Sequence, residues 1–152
     1  MKSSLKKTAP NLITAAQFAR ILSHTPLATF RVLLLLLWDT GMRVGEALPL
    51  RRVQFSRRGN GGGAIELGPD RKTGRARTVF LTRRAAKALE SLPDRGPYFF
   101  CGRDGEPLGY TYLYRIFAVA VKRAKVPWAP GLHTLRKSAF YRMTHHSILV
   151  AK

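Results

Sequence analysis

The sequence predicts an α+β domain: helices first, then a small three-stranded antiparallel sheet, then further helices. Three observations carry this. Capped, apolar helical segments occupy most of residues 15–50, and short β-prone runs separated by turn chemistry occupy the middle. Helical periodicity then returns after a proline- and glycine-rich connection.

Taken in order, residues 1–11 are polar and basic and read as a flexible linker, leaving 12–152 as the domain. Thr14 is suited to cap a helix over Ala15–Ser23. Pro26 precedes a second helix, Leu27–Asp39, whose apolar run is too long for one face and implies burial nearly all round. Thr40-Gly41 ends it, the glycine fitting a left-handed cap, and Glu46–Leu50 makes a short further turn. Strands are expected at Val53–Ser56, Ala64–Leu67 and Arg77–Leu81, joined through Arg57–Gly63 and Gly68–Arg75. Thr82 caps a helix that runs through Leu92 and stops at Pro93. Tyr98–Cys101 reads as extended, Thr111–Lys125 as a helix ended before Pro127, and His133–His146 as the last helix.

Charge narrows the function. The chain of 152 residues has 27 Lys and Arg against 8 Asp and Glu, a net +19. The excess is spread throughout: 10 basic and 2 acidic residues in 1–60, 8 and 4 in 61–100, 9 and 2 in 101–152. A folded domain positive along its whole length repels itself unless a polyanion relieves the field, which points to nucleic acid. Ribosome association and an anionic membrane surface are the other readings of charge alone. The single cysteine, Cys101, forms no internal disulfide, and the apolar run Val32–Trp38 is too short to span a bilayer. With a basic start and no apolar leader segment, these features predict a cytoplasmic, nucleoid-associated protein with no membrane partner.

Four basic residues fall at the ends of elements: Arg43 after the glycine stop, Lys72 in the second hairpin connection, and His133 with Arg136 at the start of the last helix. Singly, each has a structural reading. Arg43 can bond the carbonyls of the helix before it, Lys72 can be a solvated tip, and His133 can be a cap. Gly59–Gly63 is glycine-rich, but no Gly-Lys-Ser or Gly-Lys-Thr follows, so a P-loop is excluded. Acidic residues are too few and scattered for a two-metal nuclease.

Read with their neighbours, these residues form three boxes. Thr40-Gly41-Met42-Arg43-Val44-Gly45-Glu46-Ala47-Leu48 resembles the Thr-Gly-x-Arg-x-x-Glu box of the tyrosine recombinase, or phage integrase, family. Arg71-Lys72-Thr73-Gly74 leading to Arg77-Thr78-Val79-Phe80-Leu81 is similar to its lysine hairpin, and His133-Thr134-Leu135-Arg136 to its His-x-Leu-Arg box. The resemblance covers roughly residues 12–150.

The resemblance implies the family's catalytic-domain fold and DNA strand breakage and rejoining through a 3′-phosphotyrosine. Arg43 and Arg136 would stabilise charge on the non-bridging phosphate oxygens. Lys72 would protonate the leaving oxygen, His133 would assist proton transfer, and Glu46 would buttress the arginines. Lys137, Arg71, Arg75 and Arg77 are expected to contact DNA. No metal or cofactor is implied, because the covalent intermediate keeps the bond energy. The partners implied are double-stranded DNA and, for a full-length protein, further protomers in a synaptic tetramer.

One departure matters. Only 16 residues follow Arg136 (152 − 136), and the family's nucleophilic tyrosine lies well beyond that distance. Tyr141 comes too early, and His145 and His146 come too early for the family's next histidine. The expectation is therefore a catalytic domain without its last helices or nucleophile, inactive alone. The alternatives are a non-catalytic DNA-binding relic or regulator of the same family, and an unrelated RNA-binding module. Tyr110 and Tyr114, one helical turn apart, are expected in a core or interface rather than on a base-stacking surface.

Overall fold

The computed structural model describes residues 11–70, 72–128 and 130–151, with backbone alone for 146–151. All but Asn11 of the expected linker lies outside the described residues.

Helix α1 (Ala15–Ser23) begins at a reciprocal cap: the Gln17 N–H donates to Thr14 Oγ1 at 3.1 Å, and the Thr14 N–H donates to Gln17 Oε1 at 2.9 Å. Its buried Phe18 stacks on Trp38 with ring centroids 4.3 Å apart. Trp38 belongs to α2 (Ala28–Thr40), which buries Phe30, Leu33, Leu34, Leu36, Leu37 and Trp38 and is the central post of the core. The helix starts one residue later than the sequence suggests because Leu27 turns the chain at φ 64°. Gly41 closes it in the left-handed conformation, φ 72°, its N–H bonding Leu37 O at 2.9 Å.

Helix α3 (Val44–Ala47) sits earlier than the expected turn over 46–50, because Glu46 accepts the Arg43 N–H at 2.9 Å and fixes the start. A 3₁₀ turn at Arg52–Gln54 takes up part of the expected first strand and leaves Val53 87% exposed. The sheet follows in order β1 (Phe55–Arg57), β2 (Gly63–Leu67), β3 (Arg77–Leu81), antiparallel throughout. Ile65 pairs with Phe55 on one side and Val79 on the other. Gly63 is required by packing: a Cβ there would lie 2.5 Å from the Phe55 ring.

Thr82 caps α4 (Arg83–Glu90) by accepting the Ala85 N–H, and its hydroxyl donates to Asp39 Oδ2 at 2.8 Å. Asp39 also pairs with Arg84, which ties α4 to the end of α2. Of the expected extended run, only Tyr98 and Cys101 make bridges, to Arg51 and Pro107. Helix α5 (Tyr110–Arg123) buries Leu113, Phe117, Ala120 and Val121.

Helix α6 runs over His133–Ala151, past the expected stop at His146; no glycine or proline interrupts it. It packs along α2 with Leu135 and Ala139 fully buried, and the buried Ser138 Oγ accepts the Ile13 N–H at 3.0 Å. Two α6 arginines bond carbonyls at the C-terminal end of α2. Arg136 Nη1 donates to Gly41 O at 2.6 Å, and Arg142 donates to Trp38 O while lying 3.6 Å over the Trp38 ring. Cations there meet the negative end of the helix dipole. Tyr110 and Tyr114 are stacked but about half exposed, 53% and 50%, and so lie outside the core.

Candidate DNA-phosphate site

The ends of α2, α3, the β2–β3 connection and the start of α6 meet in three adjoining cavities, and Arg43 lines all of them. The largest, 580 Å³, brings Arg43 and Arg136 together with Arg75 and Arg77. A second, of 480 Å³, joins Arg43 to Glu46, Asp70 and Lys72. The third, of 250 Å³, joins Arg43 and Arg136 to His133 and Tyr110. Arg43 and Arg136, 93 positions apart in the chain (136 − 43), thus face one concavity.

The local chain explains this placement. The left-handed Gly41 turns the backbone out of α2, so Arg43 leaves at the cap of α3 with extended φ and ψ of −71° and 144°. The structural reading open to Arg43, bonding the preceding helix end, falls instead to Arg136. Through its bond to Gly41 O, Arg136 is held against the very turn that projects Arg43. Phe140, one turn further along α6, packs its ring 4.6 Å from the Arg136 guanidinium.

Two carboxylates organise the cations. Glu46 takes Arg77 in a bidentate pair, 2.6 and 2.9 Å, and lies 3.7 Å from Arg43 Nη1. Asp70 accepts Arg43 Nη1 at 3.2 Å and, through its other oxygen, the Lys72 N–H at 2.8 Å. Burial alone would raise the Glu46 carboxyl, but the Arg77 hydrogen bonds, the Arg43 N–H and both guanidinium charges outweigh it and hold the group below its ordinary value. The Lys72 N–H, then Arg43, likewise hold Asp70 below its ordinary value. Burial, then the charge of Arg43, lowers Arg136, which stays protonated at any physiological pH. Five cations (Arg43, Lys72, Arg75, Arg77, Arg136) thus line these cavities against three carboxylates, Asp39, Glu46 and Asp70, of which Asp39 is already paired with Arg84. The surplus suits an incoming anion.

The remaining sequence candidates divide. His133 is exposed and lines the smallest of the three cavities, as Tyr110 does. Arg75 lines the largest cavity, while Lys137 is exposed on α6 and is not among its lining residues. Arg71 lies outside the described residues. Arg77, expected on DNA, has its guanidinium engaged by Glu46. Sequence reading passed over Asp70, Phe140 and Tyr110 as parts of this site. Asp70 carried a signal, since an Asp two residues before the hairpin Lys favours a side chain-to-backbone turn. The other two become visible only when the helices are packed.

Residues 11–151 match the model of the phage integrase family. The chain belongs to that family. No curated protein matches it. Among solved structures, the XerH site-specific recombinase bound to its difH substrate is 25% identical, with a TM-score of 0.70 over 94% of this chain and 46% of that one. A lambda integrase dimer bound to a COC′ core site is 20% identical, with a TM-score of 0.69 over 91% of this chain and 55% of that one. The integrase of mycobacterium phage Brujita is 19% identical, with a TM-score of 0.70 over 91% of this chain and 45% of that one. The chain therefore spans about half the length of these proteins. Its helices and three-stranded antiparallel sheet are the tyrosine recombinase catalytic-domain fold.

Proposed function

We propose that this integrase-family domain binds a phosphodiester of double-stranded DNA and supplies the stabilising half of a site-specific recombination centre. The observation that carries the reading is the shared cavity of Arg43 and Arg136. In it, Arg43 and Arg136 stabilise the negative charge that builds on the non-bridging oxygens during attack. Lys72 gives a proton to the departing 5′ oxygen, and His133 assists proton movement at the same phosphate. Glu46 keeps Arg77 and Arg43 in place through the contacts described above. The attacking tyrosine is none of the five in this chain. Tyr141 stacks on His145 at 3.7 Å on the surface of α6, and Tyr110 pairs with Tyr114 on α5. The partners in a full-length protein are further recombinase protomers on DNA. Among the described residues, no helix is long and apolar enough to cross a membrane.

A non-catalytic DNA-binding role is the second reading. It keeps the phosphate cavity and assigns Lys72 and His133 no proton transfer.

Duplex binding across a salt series tests the shared part of both readings. A chain with 27 Lys and Arg against 8 Asp and Glu contacts many phosphates beyond the one in the cavity and predicts a steep log–log slope, at about −0.9 for each phosphate neutralised. Mutating Arg43 or Arg136 should weaken all duplex sequences alike, because the contacts are to phosphate and not to base edges. A flat plot, or preference for single-stranded RNA, would remove the DNA reading.

A further inference from the structure

Asp70 has two oxygens, and each is committed to a different part of the site. Oδ2 lies 3.2 Å from Arg43 Nη1, and Oδ1 accepts the Lys72 N–H at 2.8 Å. The backbone around it is equally fixed: the Asp70 N–H bonds Arg75 O at 3.0 Å, and the Gly74 N–H bonds Asp70 O at 2.6 Å. Asp70 also lines both the arginine cavity and the Lys72 cavity, so its carboxylate stands at their junction.

A carboxylate on a guanidinium has the charge sign and the acceptor oxygens of a phosphate. An anion entering the Arg43–Arg136 cavity meets an Arg43 whose Nη1 is already occupied. Arg136 differs: its Nη1 is bonded to the neutral carbonyl of Gly41, and it makes no ion pair among the described residues. Of the two arginines, Asp70 therefore pairs with Arg43 alone, the one that lines all three cavities and also lies 3.7 Å from Glu46.

Resting on the phosphate-site reading above, we propose that Asp70 is an internal stand-in for the phosphodiester. Its carboxylate holds Arg43 until a phosphate displaces it, and the same side chain sets the position of Lys72. Asp70 is thus a positioning residue with two opposed effects: it competes with phosphate for Arg43, and it orders the backbone from which Lys72 extends. The net +19 charge of the chain does not already imply this, because removing one acidic group from so basic a protein changes the long-range field little.

The test compares Asp70→Asn and Asp70→Ser with Asp94→Asn, which deletes the same charge from a side chain that is 81% exposed and remote from these cavities. Binding is measured for inorganic phosphate, by the chemical-shift change of the Arg43 side-chain N–H, and for a DNA duplex. Asp70→Asn should bind both about three- to fivefold more tightly, the span of a partly exposed ion pair, with Asp94→Asn within about twofold of wild type. Asp70→Ser keeps an acceptor for the Lys72 N–H and should show the same gain, which guards against collapse of the turn. Unchanged or weaker phosphate binding in both Asp70 variants, with wild-type melting temperatures, would overturn the proposal by making the carboxylate a support for Arg43 and not its competitor. If phosphate binding rises but no form of the protein binds duplex, the stand-in role survives and the DNA reading fails.

Discussion

Arg136→Ala is expected to slow covalent attachment to DNA by about two to three orders of magnitude, measured in a protein that also carries the family's tyrosine-bearing C-terminal segment. The magnitude is that of removing one preorganised donor from an anionic transition state. Arg136 is preorganised on three sides: bonded to Gly41 O, stacked on Phe140, and sharing its cavity with Arg43. Duplex affinity should fall far less, because many of the 27 basic residues remain to contact phosphates. Arg136→Lys should not restore the rate. An ammonium cannot bond the Gly41 carbonyl and present a second planar donor to the phosphate in the same fixed geometry. A variant that loses affinity and rate by the same factor would mark Arg136 as a binding residue only.

The second large effect concerns Glu46. Its bidentate pair with Arg77 and its bond to the Arg43 N–H join α3, β3 and the Arg43 backbone in a site crowded with like charge. Glu46→Gln should cost about 1–2 kcal/mol at neutral pH. That is below the figure for a fully buried pair because the Arg77 side chain is 39% exposed and water screens it. The pH dependence has a definite sign. The folded carboxyl lies below its ordinary value of 4.5, so the stabilisation is fully present above that value and is lost as pH falls through the lower folded one. The gap between wild type and Glu46→Gln should therefore be widest near neutrality and close in acid. Urea melts at stepped pH values check this. A gap that stays constant to pH 3 would assign the loss to shape and not to charge.

Local chemistry made much of the fold legible. The Thr14 cap, the span of α1, the left-handed Gly41 and the whole of β3 follow from residues within a few positions of one another. Where a distant partner decides, the sequence was silent. Glu46 starts α3 through a bond to the residue three before it, yet its main partner, Arg77, lies 31 positions away. Asp70 meets Arg43 across 27 positions. A β-prone Val53 sits in a 3₁₀ turn because the chain must reach Pro97, whose carbonyl accepts the Arg52 N–H. Residue type alone did not reveal that Tyr110, Tyr112 and Tyr114 of α5 stay about half exposed while Leu113 and Phe117 of the same helix are buried. The three boxes named the neighbourhood of the site. They did not show that Arg136 seats on the Gly41 turn, which is what brings two arginines 93 positions apart (136 − 43) into one cavity.

On the function proposed above, this domain supplies phosphate stabilisation without the attacking group. Trapping on a nicked suicide duplex tests that proposal most directly, with this chain beside the same chain extended by a tyrosine-bearing segment of the family. No covalent protein–DNA band is expected from the chain alone. The extended protein is expected to give a band that maps to the added tyrosine and disappears with Arg43→Ala or Arg136→Ala. A covalent adduct formed by the unextended chain, mapped to Tyr110, which lines a cavity with His133, or to Tyr141, would contradict it.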